Sequence, residues 1–163
     1  MNQTERFIIE LRQETEATGR LLERVPPDKL SWKPHPKSMS LGQLALHIAG
    51  LPGGIAELLD ERIREVPFIP LPEAESVEEI LSALDQNTAL AEARIRGWGD
   101  SGLAEIWTLT SDGVPVLETP RIEMVRSLML NHWYHHRGQL TVYLRLLGVP
   151  VPSLYGPSAD ETA

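Results

Sequence analysis

The chain of 163 residues contains no cysteine, and this absence limits the chemistry available to it. Without thiol groups the protein has no disulfide, no cysteine nucleophile and no cysteine-bound metal. Histidine, aspartate and glutamate are the strong metal ligands that remain. A domain of this length buries roughly 70% of the surface of its unfolded chain, so a stable core needs no disulfide. We therefore expect one domain that spans residues 1–163.

Long hydrophobic runs are also missing. No stretch approaches the roughly 18 apolar residues of a membrane span, and Met1–Arg6 contains no apolar signal core. Positive charge is scarce, because 15 lysine and arginine residues face 23 acidic residues, for a net charge of −8. That balance opposes binding to a phosphate backbone, and no basic cluster overrides it. The sequence predicts a soluble cytoplasmic protein that binds neither membranes nor nucleic acids.

Apolar residues recur at helical spacing in four segments, of which the first covers residues 3–24. Its stripe contains Phe7, Leu11, either Thr15 or Thr18, and Leu22. A proline-containing loop follows over Lys29–Ser40, in which His35 is expected in solvent and Trp32 against one end of the fold. The second helix begins after the N-cap Ser40. Pro52 to Gly54 interrupt it, which predicts either one kinked helix or two short collinear helices that end near Glu65.

The second half of the chain predicts two more helices and a hairpin. Ser76 and Glu79 form a capping-box pattern, which opens a third helix that runs to about Trp98. Alternating residues on both sides of Asp112-Gly113 predict a β-hairpin over Ile106–Leu117, with Pro115 in an edge strand. A last helix is predicted from Arg121 to about Leu147. An irregular tail, Val149 to Ala163, follows the helix stop at Gly148. The fold class is all-α: a four-helix bundle with long connections and a small hairpin before the last helix.

Three of the five histidines lie inside the last predicted helix, in a stretch of five residues. His132 and His136 are one turn apart on that helix, so both imidazoles can reach a single metal ion. Apolar residues within about 60° of His132 on a helical wheel include Val125, Met129, Tyr143 and Leu147. This places both histidines in the middle of an apolar stripe. His47 borders the corresponding stripe of the second helix and is the third candidate ligand.

The alternative interpretation is that these histidines are core residues, each bonded to a carbonyl or a water. Burying two imidazoles side by side costs a few kcal/mol unless both find partners, and one metal ion satisfies both. Three nitrogen ligands that leave positions open are typical of a catalytic site, whereas a structural zinc site is closed by four. Trp133 stands where a His-Glu-x-x-His protease has its general base, which excludes that enzyme class.

Other residues of the last helix have candidate roles of their own. Gln139 and Tyr143 face the same side as the histidines, which suggests either contacts behind the ligands or ordinary core hydrogen bonds. His135 lies at the edge of the stripe. It is the alternative metal ligand if the predicted helical phase is off by one residue. Arg137 and Arg145 fall on the polar side and are expected in solvent.

The sequence carries a family resemblance over nearly its whole length. His132–Leu140, continued by Tyr143–Arg145 and Val151–Glu161, resembles the C-terminal signature of the DinB-like family. Leu44–Ile48 is similar to the segment of that family that carries the second-helix histidine. The resemblance implies a four-helix bundle, often a homodimer, with a divalent ion such as zinc or nickel at His47, His132 and His136.

Relatives of this kind include thiol-dependent transferases and isomerases that use bacillithiol, mycothiol or glutathione. By this resemblance we expect a metal-dependent S-transferase, or a related hydrolase, that acts on a small molecule. The second hypothesis is a non-catalytic, stress-associated bundle in which the metal stabilises the fold. The third is a structural bundle without metal. Three imidazoles suit zinc, nickel, iron and copper alike, so the ligand set does not identify the ion.

Overall fold

Four long helices and a three-stranded sheet make up the fold in a computed structural model, which describes residues 1–161. The helices are α1 Gln3–Leu22, α2 Leu41–Asp60, α3 Val77–Ala104, α4 Arg121–Met124 and α5 His132–Leu146, with a π-helix at Val125–Asn131 between the last two. The strands are β1 Ile63–Glu65, β2 Ile106–Ser111 and β3 Val114–Pro120. The α4, π and α5 segments form the fourth bundle helix. The predicted fold class, a four-helix bundle with a small sheet before the last helix, is confirmed.

Polar caps fix the start of α2 and α3, as the sequence predicts. The Ser40 hydroxyl accepts a hydrogen bond from the Gln43 amide at 3.0 Å, and the Gln43 side chain accepts one from the Ser40 amide. At α3 the Ser76 hydroxyl accepts from the Glu79 amide. The Glu79 carboxylate accepts instead from the amide of Glu75, one residue before the cap. Both helices therefore begin where their first amides find side-chain acceptors.

Of the two alternatives predicted around Pro52, two separate helices are wrong, because one helix continues through Pro52 to Asp60. Proline has no amide hydrogen, so the carbonyl one turn earlier, that of Ile48, loses its helical partner. The indole of Trp133 replaces that partner, since its Nε1–H donates to the Ile48 oxygen at 2.9 Å. A contact from the fourth bundle helix thus satisfies the carbonyl that Pro52 leaves free.

The sheet has the strand order β1-β2-β3. Strands β2 and β3 are antiparallel, and Asp112 and Gly113 connect them with φ angles of 52° and 75°. Both angles are left-handed, as in the tight hairpin turns that Asp-Gly favours. The predicted hairpin and the edge position of Pro115 are confirmed. Strand β1 pairs in parallel with β2, so the expectation that the second helix ends near Glu65 is wrong.

The third helix agrees with the prediction up to Trp98 and then continues. Gly99 has a non-helical conformation, with φ 59°, and helical backbone resumes after it as far as Ala104. The fourth bundle helix begins at Arg121 as predicted, and Gly148, with φ 72°, follows its end. The irregular tail continues to Glu161, and the last two residues of the predicted tail, 162 and 163, lie outside the described residues.

The fourth bundle helix differs from the uniform α-helix that the sequence predicts. Over Val125–Asn131 it is a π-helix, in which hydrogen bonds span five residues; the His132 amide donates to the Ser127 carbonyl. A wheel drawn at about 100° per residue therefore places the segment before His132 at the wrong angle to the segment after it. The buried residues of α5 are Trp133, His136, Arg137, Leu140 and Leu144.

These residues centre the buried stripe about 100° away from His132 on the wheel. The prediction that His132 lies in the middle of the stripe is wrong, because it is only half-buried. The prediction that Arg137 lies in solvent is also wrong, since its side chain is 2% exposed. Its guanidinium bonds the Glu14 carboxylate at 2.5 Å and the Thr18 hydroxyl at 3.1 Å, and it also contacts the Tyr155 hydroxyl. These partners on α1 and the tail compensate the buried charge.

Candidate metal centre

Helices α2 and α5 bring together the three histidines that the sequence nominates. His47 lies in the second turn of α2, while His132 and His136 lie in the first two turns of α5. Each offers one ring nitrogen to a group whose ligand atoms all lie within 4.8 Å of one another. His136 is 8% exposed and the other two are half-buried, so the group lies at the edge of the core rather than at its centre.

The rings are packed closely enough to share one ion. The centroid of the His47 ring is 4.6 Å from that of His136 and 5.5 Å from that of His132. The Nε2 atoms of His132 and His136 are 2.7 Å apart. Two imidazole nitrogens at that distance need either a shared hydrogen or a cation between their lone pairs.

Gln139 determines which nitrogen of His136 is free. Its side-chain oxygen lies 2.7 Å from Nδ1 of His136. An amide oxygen only accepts hydrogen bonds, so Nδ1 of a neutral His136 carries the hydrogen and Nε2 carries a lone pair. The lone pair faces His132. Gln139 thus orients its neighbour as a ligand, which is the role that outer residues play behind metal-bound histidines.

The tautomer of His132 provides a test of whether a metal fits. If His132 donates from Nε2 to His136, its own Nδ1 becomes an acceptor, yet this buried atom has no partner of good hydrogen-bond geometry. If both Nε2 atoms bind a cation, Nδ1 of His132 carries the hydrogen instead, and the backbone of Leu128 interacts with that ring. The second arrangement makes this nitrogen a donor beside the Leu128 backbone, whereas the first makes it an acceptor without a donor. The residues present therefore fit a metal ion.

All three imidazoles are held in the neutral form that binds metals. Burial, together with charge repulsion from His136 and His132, lowers the pKa of His47 to about 4. Burial is also the main cause that lowers the pKa of His132 and that of His136, although the hydrogen bond that His136 donates to Gln139 opposes the change at His136. Near neutral pH the site presents lone pairs rather than positive charges.

The same two helices are joined beside the histidines by the bond from Trp133 to the Ile48 carbonyl. Trp133 follows His132 directly, and Ile48 follows His47 directly. Trp133 is fully buried, so the bond is shielded from water. It fixes the two histidine-bearing segments relative to each other. Sequence reasoning missed this contact, although a proline inside a helical pattern signals a carbonyl that needs another donor.

The other residues considered from the sequence, Tyr143, His135 and His35, lie outside the group of converging histidine nitrogens. The Tyr143 hydroxyl donates to the Met39 carbonyl at 3.2 Å, and its ring packs edge-on against Trp32, with centroids 5.7 Å apart. His135 is exposed and its ring lies 5.0 Å from that of His136, outside the converging group. His35 is exposed in the loop before α2, as predicted.

The fold and the histidine group define a class of protein, a four-helix bundle whose histidine triad can hold a metal ion. The chain belongs to the DinB family, because the sequence profile of that family matches residues 1–163. The family resemblance of the C-terminal signature and of the His47 segment is thereby confirmed.

Individual relatives agree with this assignment. The chain is 28% identical over 151 residues to the uncharacterized protein YrdA of Bacillus subtilis (strain 168), covering 92% of this chain and 86% of YrdA. It is similar in structure to a DinB-like protein of Bacillus cereus ATCC 10987, with TM-score 0.69, 28% identity and coverage of 93% and 97%. The DinB-like protein YjoA of B. subtilis shares the fold at 20% identity, with TM-score 0.70 and coverage of 91% and 96%.

Proposed function

We propose that this protein is a divalent-metal-dependent enzyme in which His47, His132 and His136 bind the ion. The observation that carries the proposal is the convergence of three neutral imidazole nitrogens within 4.8 Å. Three nitrogen ligands leave coordination positions for a substrate, as in catalytic rather than structural sites. Zinc and nickel are the ions we propose, on the family resemblance.

The reaction we propose is transfer of a low-molecular-weight thiol to a small molecule, or a related hydrolysis. A divalent ion bound by three uncharged ligands keeps its full charge and lowers the pKa of a bound thiol or water towards neutrality. Gln139 keeps the Nε2 lone pair of His136 directed into the site. Burial keeps the three rings unprotonated near neutral pH. The preference for thiol transfer over hydrolysis is based on the family and not on a residue of the site.

The second candidate function is a metal-binding bundle without catalysis. It is favoured by the position of the triad across two helices, because an ion at His47 on α2 and at His132 and His136 on α5 also crosslinks the fold. In that case removal of the ion lowers thermal stability, and no thiol changes any measured property.

The homodimer that the resemblance implies belongs to the same proposal. Val142 and Leu146 are 57% and 62% exposed on the outer side of α5. A second copy covering them would remove apolar surface from water. The molar mass in solution, measured by light scattering, tests this part separately.

The test of the main proposal is a conjugation assay on the metal-loaded protein. Glutathione, bacillithiol and mycothiol are each offered with monochlorobimane, whose chloride is displaced when a carbon–sulfur bond forms. We expect metal-dependent conjugation with one of these thiols. We expect this conjugation to be lost in His47→Ala. It should be retained in His135→Ala, which removes an exposed histidine next to the proposed ligand His136. Conjugation that is identical with and without metal would refute metal-dependent thiol transfer. If the metal raises the melting temperature but no conjugation occurs, the second candidate function, a metal-binding bundle without catalysis, is supported instead.

A further inference from the structure

All three lysines of the chain lie within nine residues, at positions 29, 33 and 37. The loop that carries them contains one acidic residue, Asp28, over residues 28–39, so it has a net charge of +2 in a protein of net charge −8. The three lysine side chains are exposed. Lys29 pairs with Asp28 at 3.1 Å, whereas Lys33 and Lys37 form no ion pair with any carboxylate of residues 1–161.

Local restraints hold the backbone of this basic loop, residues 28–39, in place. Pro34 and Pro36 restrict its backbone. The amide of Leu41, the first residue of α2, donates to the carbonyl of Trp32 at 2.8 Å. A loop that is already ordered loses little entropy when it binds a ligand, so its charges are presented at little cost.

The basic loop meets the same helix face that carries the histidines. Trp32 packs edge-on against Tyr143, with ring centroids 5.7 Å apart. Tyr143 lies near His136 on the wheel, two turns further along α5, and Gln139 lies between them and contacts His136. Trp32 and Tyr143 are both half-buried. One face of α5 therefore runs from the histidine triad through Gln139 and Tyr143 to the basic loop.

We propose that Lys33 and Lys37 form an anion-binding subsite of the histidine site. The inference depends on the proposed function, because it describes the other end of the same ligand. Seven residues of α-helix separate His136 from Tyr143, a rise of about 10 Å. The substrate or the thiol then carries a carboxylate, phosphate or sulfate group about that far from the atom that faces the histidines. The ligand class is an elongated anionic small molecule.

The charge distribution of the whole protein supports this choice. An acidic surface repels anions, and a local positive loop beside the site reverses that effect at one end only. Exposed ammonium groups contribute modest affinity individually, but two of them select an anion over its neutral analogue and accelerate its association. The lysine spacing is visible in the sequence, whereas its position beside α5 depends on the packing of Trp32 against Tyr143.

The experiment compares two thiols on the zinc-loaded protein by calorimetry: 8-mercaptooctanoate, whose extended chain matches the span, and its uncharged methyl ester. We expect the acid to bind roughly five- to tenfold more tightly than the ester at low salt. The preference should disappear in Lys33→Gln with Lys37→Gln. It should also be absent for 3-mercaptopropionate against its own ester, because the shorter chain cannot reach the loop. A preference that is unchanged by the lysine substitutions would overturn the inference.

A matched control removes two charges elsewhere. Arg6→Gln with Arg20→Gln changes the net charge equally, from exposed positions on α1, and should retain the full preference for the acid. If this control loses the preference to the same extent as the lysine variant, the effect comes from net charge and the subsite is rejected.

A metal-free measurement separates the inference from the proposed function. The proposed function fails if the protein takes up neither zinc nor nickel, whereas the thiol comparison has no readout if neither thiol binds. The subsite is then tested with octanedioate on the metal-free protein by NMR, through the indole N–H signal of Trp32. We expect that signal to shift in the wild type and to stay unmoved in the lysine variant. An unmoved signal in the wild type would also overturn the inference.

Discussion

Gln139 determines which ring nitrogen of His136 carries the hydrogen. The contact between its oxygen and Nδ1 is 2.7 Å long. Without an acceptor at that position the ring populates both tautomers and can rotate, so the lone pair at Nε2 is no longer held towards His132. The affinity for the metal should depend on this contact even though Gln139 binds no metal itself.

Gln139→Leu is therefore expected to weaken zinc binding roughly 10- to 100-fold. The measurement is competition with a chromophoric chelator at neutral pH. Gln139→Glu is the matched control, because a carboxylate still accepts from Nδ1, and it should bind zinc nearly as tightly as the wild type. Equal affinities for the wild type and the leucine variant would contradict the orienting role.

The sequence identifies the pair His132 and His136 through simple geometry, because their spacing places them on one face of any α-helix. Its prediction of burial is right for His136 and wrong for His132. The wheel combines residues before His132, such as Val125 and Met129, with residues after it, and the π-helix between them makes their relative angles wrong. The wheel places Arg137 on the polar side, but it cannot show the partner of Arg137, Glu14, because that residue lies on another helix. Polarity alone does not reveal which charged residue will find a buried partner.

Helices α2 and α5 are connected through Pro52, Ile48 and Trp133. The proline removes an amide donor, and the indole supplies one to the same carbonyl. Since Trp133 and Ile48 adjoin His132 and His47 in sequence, this connection determines how the two helices present their histidines. The cost of losing it should depend on whether residue 52 has an amide hydrogen.

A double-mutant cycle tests that dependence. Trp133→Phe leaves the Ile48 carbonyl buried and unpaired, and we expect a loss of about 1–3 kcal/mol from the unpaired group, together with a packing loss. In Pro52→Ala the alanine amide bonds the same carbonyl, so the tryptophan substitution should cost less. Urea unfolding of the four proteins gives the coupling energy directly. If the two substitutions have additive effects on the free energy of unfolding, Trp133 and the amide of residue 52 do not compete for the Ile48 carbonyl.

Helices α1 and α3 are joined at the surface by Arg12 and Glu92, with Arg96 bonding the same carboxylate. The bidentate bond from Arg12 is the main cause that lowers the pKa of Glu92 from an ordinary 4.5 to about 2. A carboxylate whose pKa is lowered by folding stabilises the fold at any pH above its pKa in the unfolded state. This contribution is lost as the pH falls towards the pKa in the folded state.

Glu92→Gln should consequently destabilise the protein at pH 6 and lose its effect between pH 4.5 and 2. Urea unfolding at several pH values measures the difference between the two proteins. Glu16→Gln is the control, because Glu16 is an exposed carboxylate of α1 that makes no ion pair among residues 1–161. A Glu92→Gln effect that stays constant down to pH 2 would contradict the assigned pKa.

Element boundaries are predictable where a local signal determines them. The caps at Ser40 and Ser76 and the Asp112-Gly113 turn are such signals, and the structure contains all three. Strand β1 has no local signal, because Ile63–Glu65 becomes a strand only by pairing with β2, more than 40 residues later. The π-helix and the unbroken α2 likewise depend on contacts between helices.

The molecule as a whole has a core that does not require the metal. Buried apolar residues from all the bundle helices form one cluster, and the histidines lie at its edge. Within the described residues, no helix combines the length and apolar character needed to cross a bilayer. Removal of the ion should therefore leave the helices formed and lower stability only by the free energy of metal binding.

Metal-stripped protein is expected to keep its far-ultraviolet circular dichroism. Zinc at about 1,000 times its dissociation constant should raise the unfolding free energy by about 4 kcal/mol. The melting temperature with and without zinc measures the effect, and His132→Ala should show almost none of it. Complete unfolding on chelation would mean that the ion is part of the core, contrary to this description.

The most direct test of the central claim is the metal content of untagged protein purified without a metal column, determined by elemental mass spectrometry. We expect about one divalent ion per chain, close to none in His136→Ala, and an unchanged content in His135→Ala. Wild-type protein that contains no ion and takes up neither zinc nor nickel when they are added would contradict the claim. The three histidines would then be core residues that share hydrogens with one another.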